Sequence, residues 1–139
     1  MGEPNVWSVA RLGSPDNPAA DLIVNGLELS CAVPDDEAVE PGGATPFGLL
    51  AGSLSACTAM SVRTFLQRWR IDPGEVTVRV GVHVHPGSTP MLDRHVTVAG
   101  QVGQELWEQL ATEVDNIPVT VLLRDTMPIR TVLTTGAGD

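Results

Sequence analysis

A thiol is the most reactive group this 139-residue chain offers, and Cys57 lies within GLLAGSLSACTAMSVRTFL, a segment patterned as a helix. The reacting species is the thiolate, so a working cysteine needs a neighbouring cation, a helix N-terminus or a base to ionise it. Cys57 falls about three turns into the helix, beyond the reach of the helix dipole. A cation must therefore come from another element, and Arg11 on the first strand is assigned that role, whereas Arg63 of the same helix faces elsewhere. The competing reading is a small apolar space-filler, because free cysteine is among the most buried residue types.

Three histidines form the second constellation. His83 and His85 alternate onto the polar face of one strand and His95 lies on the next. If His83 pairs with His95, His85 meets Asp93, and imidazoles beside a carboxylate could hold a transition metal. Histidines on a solvated face need no ligand, so no metal site is assigned. Ser55 sits in GSLSAC, which lacks the strand-to-helix elbow of a serine nucleophile. The acidic run Asp35, Asp36, Glu37 and Glu40 lacks the alternation of a calcium loop and reads as a solvated loop.

These groups need elements to position them. Asn5 to Arg11 has strand character, and SPDNP then turns the chain. Asn25-Gly26 stands between two apolar runs and predicts a two-residue hairpin turn, with Leu27, Leu29, Cys31 and Val33 on one face of the second arm, so that Cys31 points toward a core. Pro34 to Thr45 is a loop. Thr45 caps the helix that follows, Pro46 takes its first position, and Asp72-Pro73-Gly74 ends it. Leu50, Leu54, Cys57, Ser61 and Phe65 make one stripe, and Ala51, Gly52, Ser55, Ala56 and Ala59 cover much of the rest with small side chains suited to a buried, central helix. Val76, Val78, Val80, Val82 and Val84 alternate in a half-buried strand. A second strand runs from Leu92 to Val102 with Val96 and Val98 inward, then a helix over Gln104 to Val114, a short helix opened by Pro118, a final strand in MPIRTVLTT and a frayed GAGD tail. The order is α+β in one domain, 1–139, with no βαβ repeat and no glycine-rich phosphate loop, so no cofactor is expected.

A net charge of −9, with every cation an arginine, opposes nucleic acid and anionic membrane surfaces. Two cysteines are too few for a secreted disulfide scaffold, and the N-terminal sequence has no basic segment followed by an apolar run. The apolar stretch from Phe47 to Met60, interrupted by Gly48, Gly52, Ser53, Ser55 and Thr58, reads as too short to cross a bilayer. A cytoplasmic protein is expected.

The segment PGGATPFGLLAGSLSACTAMSVRTFLQRW resembles the signature of the OsmC/Ohr family of osmotically inducible and organic-hydroperoxide-resistance proteins, with Cys57 eleven residues after Pro46. NIPVTVLLRDTMPIRTVL resembles the family's second motif, where Cys-Pro-Val opens a short helix. The resemblance implies antiparallel sheets around a long central helix, an intertwined homodimer, and an interface pocket to which Pro46, Phe47, Leu50 and Met60 are assigned. It also implies a thiol-dependent reductase of small organic hydroperoxides, with Cys57 as nucleophile and Arg11 as activator. Two departures stand out: Ile117 replaces the resolving cysteine, and Gly48 replaces a glutamate that orients the arginine. An external thiol or Cys31 must then resolve the oxidised sulfur. The alternative is a catalytically degenerate protein that binds an apolar small molecule in the same pocket.

Overall fold

The computed structural model describes residues 6–13, 19–32 and 44–135, divided between two compact units, Met1–Leu49 and Leu50–Asp139. The SPDNP turn, the acidic loop, the Gly42-Gly43 pair and the GAGD tail lie outside the described residues.

The N-terminal unit is a meander of β1 (Ser8–Arg11), β2 (Ala19–Val24) and β3 (Leu27–Ala32), hydrogen-bonded in that order and antiparallel throughout. The expected hairpin is present: Asn25 and Gly26 take φ of 45° and 90°, the left-handed pair of a two-residue turn that matches strand twist. Asn25 also ties the turn to the first strand, accepting from the Trp7 N–H through its side-chain oxygen and donating its own N–H to the Trp7 carbonyl, both at 3.0 Å. Cys31 is half-buried and bridges in parallel to Ala44.

Helix α1 (Pro46–Arg68) starts where its cap predicts, with Thr45 Oγ1 accepting the Gly48 N–H at 3.0 Å. It stops before Asp72-Pro73-Gly74. Arg70 adopts φ of 58°, and the Ile71 and Arg70 N–H groups bond back to the Leu66 and Gln67 carbonyls, which closes a Schellman motif. Ile71 then packs against the core that contains Leu66, the apolar contact that accompanies such an end. Its 23 residues have the length and hydropathy a membrane span would need, contrary to the expectation from the shorter Phe47–Met60 stretch. The buried stripe is nevertheless that of a packed helix: Leu54, Thr58, Val62, Phe65 and Leu66. Leu50, Cys57 and Ser61, expected at its centre, lie half-buried at its margin.

In the C-terminal unit β4 (Val76–His83), β5 (Met91–Val98) and β6 (Ile129–Thr135) form the second sheet, with α2 (Gln104–Val114) and α3 (Pro118–Arg124) between the last two strands. β4 and β5 are antiparallel, but β5 and β6 are parallel. The expectation of purely antiparallel sheets is therefore corrected: α2 and α3 carry the chain back so that β6 runs alongside β5, as a parallel pairing requires. Val62, Phe65 and Leu66 of α1 meet Val96 and Val98 of β5 and Leu110 and Val114 of α2 in one cluster, each side chain worth about 1.5–3 kcal/mol of burial.

The left-handed conformation of Arg70 strains a residue with a Cβ, which glycine tolerates at no steric cost. Arg70→Gly is expected to raise the thermal midpoint by about 2–4 °C, the relief of strain exceeding the added freedom of the unfolded chain. Differential scanning calorimetry at neutral pH checks this; a lowered midpoint contradicts it.

Candidate functional site

The helix that carries Cys57 is held against the second sheet by an unexpected residue. Strand alternation puts Arg94 on the same face of β5 as Leu92, Val96 and Val98, and its side chain is fully buried there. A buried guanidinium is costly unless each N–H finds an acceptor. Here Nε donates to Thr131 Oγ1 at 3.2 Å and Nη2 to the same oxygen at 3.0 Å and to the Val114 carbonyl at 3.2 Å. Nη1 donates to Thr120 Oγ1 at 2.6 Å and to Thr58 Oγ1 at 3.2 Å. The acceptors come from β6, α2, α3 and α1, so one cation joins all four to β5.

Thr58 passes the connection on. Its hydroxyl accepts from Arg94 and donates to the Leu54 carbonyl at 2.7 Å. The residue before it is Cys57, a free, half-buried thiol. Burial pushes the Arg94 guanidinium below its ordinary pKa, and the negative charges of Asp115 and of Cys57 as thiolate draw it part of the way back. Asp115 reaches Nη2 at 3.6 Å from a largely exposed position. Sequence reasoning missed Arg94 although the signal was present, a charged residue at an inward position of an otherwise apolar face.

The other expected residues stand as follows. Arg11 is exposed at the end of β1, opposite Asp21 of β2, and lines a surface pocket with Asp21 and Glu28 of β3. It belongs to the N-terminal unit and Cys57 to the C-terminal one. Pro46, Phe47 and Met60 are exposed and Leu50 is half-buried, all on α1. Ile117, the N-cap residue of α3, is buried hydrocarbon. At Gly48 a Cβ would come within 2.9 Å of the Thr45 hydroxyl that caps the helix.

The histidines take a different register from the one that would have stacked them. Arg79 pairs with His95, Gly81 with Asp93 and His83 with Met91, while His85 lies beyond the strand. Among the described residues no three His, Cys, Asp or Glu side chains gather as metal ligands. His83 instead contacts Asp93 Oδ2, and Arg130 grips Oδ1 through Nη2 at 2.7 Å and Nε at 2.8 Å. The His83 hydrogen bond, assisted by Arg130, holds the Asp93 carboxyl below its ordinary value against the opposing effect of desolvation.

No family model matches the sequence, and no curated protein does. Solved structures do match over nearly the whole chain. An OsmC-like protein from Mycoplasma pneumoniae superposes with a TM-score of 0.79 at 14% identity, covering 96% of this chain and 99% of that one. An organic hydroperoxide resistance protein OsmC from Legionella pneumophila gives 0.69 at 20% identity over 97% and 98%. The organic hydroperoxide resistance protein OhrB of Bacillus subtilis gives 0.65 at 18% identity over 94% and 97%. The chain has the fold these proteins share.

Because Asp93 is ionised more readily in the folded state than in the unfolded one, its contribution to stability is present above the ordinary carboxylate value of 3.8 and is lost as pH falls through the lowered one. Asp93→Asn is expected to lower the urea midpoint at pH 7, with the gap between variant and wild type closing as the pH is taken down through the ordinary carboxylate value and below it. A gap of constant size across that range contradicts the assignment.

Proposed function

We propose that this chain is an OsmC-type thiol peroxidase that reduces small organic hydroperoxides through Cys57 and is returned to its starting state by an external thiol. The observation that carries the reading is a half-buried free thiol on α1, set in a fold shared with organic hydroperoxide resistance proteins. The Cys57 thiolate attacks one oxygen of the O–O bond. An S–O bond forms, the O–O bond breaks, and the electron pair leaves with the alkoxide, which takes a proton from water and departs as an alcohol. The sulfenic acid then condenses with an external thiol, releasing water and leaving a mixed disulfide; a second thiol attacks the sulfur of the first, forming an external disulfide and releasing Cys57 as its thiolate. Ile117 has no sulfur to offer at the family's resolving position, so the reductant comes from outside.

Arg11 is the activating cation that the family resemblance brings from the N-terminal strands, and Pro46, Phe47, Leu50 and Met60 supply the apolar lining for the organic substituent. The protein works as a cytoplasmic homodimer. The exposed apolar side chains of α1, Phe47 and Met60, and its small exposed positions Gly52 and Ala56 support the burial of this helix against a second copy. A second reading, a degenerate protein that binds an apolar small molecule, draws support from the same buried Ile117 and from the missing carboxylate at Gly48.

Intact-mass analysis separates the two. With one equivalent of cumene hydroperoxide the wild type is expected to gain about 16 Da on Cys57, and Cys57→Ser is not. Peroxide consumption is expected to continue only when dithiol is supplied. A Cys57 that alkylates freely yet stays unmodified in excess hydroperoxide overturns the enzyme reading and leaves ligand binding. A bond between Cys31 and Cys57 in the same spectrum would replace the external thiol in the first resolving step. Light scattering on the eluting protein is expected to give twice the chain mass of 14.7 kDa; a stable folded monomer contradicts the dimer.

A further inference from the structure

Strand interiors favour residues with side chains, so a glycine inside one needs a reason. Gly81 stands within β4 between Val80 and Val82, and the usual reasons are absent. Its φ is not among the positive values taken by Gly26, Gly74 and Gly87. Pairing with β5 runs unbroken from Val76 opposite Val98 to His83 opposite Met91, so Gly81 marks no bulge. A Cβ at this position would meet nothing within 4 Å, so no neighbour requires the space. What the missing side chain leaves is a hollow of about 270 Å³ on the outward face of the second sheet, walled by Arg79, His83, Asp93 and His95.

That face gathers cations in a chain whose net charge is −9. The outward positions of β4, β5 and β6 carry Arg79, His83, His95 and Arg130 against a single carboxylate, Asp93. Both oxygens of Asp93 are engaged: Arg130 holds Oδ1 through two nitrogens and His83 contacts Oδ2. Its charge is therefore matched within the sheet. Glu75, the acid that precedes β4, is turned to Thr77. Arg79 stands directly opposite His95 and makes no hydrogen bond or ion pair with any described residue. His95 Nε2 contacts Thr134 Oγ1 at 2.8 Å, and its other ring nitrogen is uncommitted among the described residues. A guanidinium beside an imidazole offers the planar fork of donors that a carboxylate or phosphate accepts.

We propose that this hollow binds one oxyanionic group, carboxylate or phosphate, of a small molecule, with Arg79 and His95 as its donors and Gly81 as its open floor. Its volume lies just under the roughly 300 Å³ at which pockets for drug-sized ligands begin, so it suits a small acid and not a polymer. Glycine is kept at this position at a cost in strand stability because a side chain would occupy the ligand's place. The hollow lies on the face of the sheet away from the cluster that packs on α1, so the proposal is independent of any chemistry at Cys57.

The test is a proton NMR titration of the full-length protein with inorganic phosphate and, separately, with acetate, at fixed pH and with chloride holding the ionic strength constant. The chain has three histidines, and His85, beyond the end of β4, serves as the internal reference. The His95 ring resonances are expected to shift saturably with at least one of the two anions, the tighter of which identifies the group, while those of His85 stay in place. Arg79→Gln is expected to weaken that binding about tenfold. Gly81→Val fills the floor without removing a charge; it is expected to abolish binding and to keep or raise the thermal midpoint, since valine favours a strand. The absence of a saturable His95 shift with either anion overturns the proposal. So does an equal shift at His85, or binding that Gly81→Val leaves intact. If Gly81→Val does not fold, wild-type affinity in Arg79→Gln overturns it alone.

Discussion

A cation with no water around it must be surrounded by oxygen, and the C-terminal unit is arranged to meet that demand. Arg94 takes oxygens from α1, α2, α3 and β6 while standing on β5. Each oxygen is directional, so the guanidinium fixes where the helices and the last strand lie as well as how strongly they are held. Apolar burial in the adjoining cluster supplies most of the driving force, but it is indifferent to small rotations of α1 about its axis. The bond from Arg94 to Thr58 is not, and the helical phase it imposes leaves Cys57 at the margin of the stripe and half-buried.

The departures from the family motif take on a local physical sense. At Gly48 the space a side chain would enter is already close to the capping hydroxyl of Thr45. At Ile117 the side chain is buried hydrocarbon where α3 begins. These positions carry a helix start and part of an apolar layer. The same architecture can hold different chemistry when such positions change, so the shared fold and the individual site are separate kinds of support for any functional reading.

Much of the architecture was legible because local rules decide it. Asn25-Gly26, the Thr45-Pro46 helix start, the valine alternation of β4 and the Pro118 start of α3 each follow from short-range sterics or capping. What was not legible depends on residues far apart in sequence. Asp72-Pro73-Gly74 is the stronger breaker in the sequence, but Arg70 closes α1 earlier because Ile71 finds the core. The direction of β6 is set by the crossover of α2 and α3, which periodicity does not encode. Hydropathy runs the stripe of α1 through Cys57, whereas a threonine occupies its centre because a strand residue needs that hydroxyl. Arg94 is the common omission: alternation alone placed it inward, and its acceptors lie 20 to 37 positions away.

The parallel pairing of β5 and β6 bears on the order in which the chain acquires its shape. Thr131 is brought to Arg94 by the last strand of the described residues, 37 positions downstream. While the nascent polypeptide is still emerging, that guanidinium has no Thr131 to bind and keeps its hydration shell. The β4–β5 hairpin can form from neighbouring residues alone, but drying its inner face has to wait for distant partners to be synthesised. The dry interior of this half of the molecule is therefore complete only once the downstream hydroxyls are in place to accept from the guanidinium.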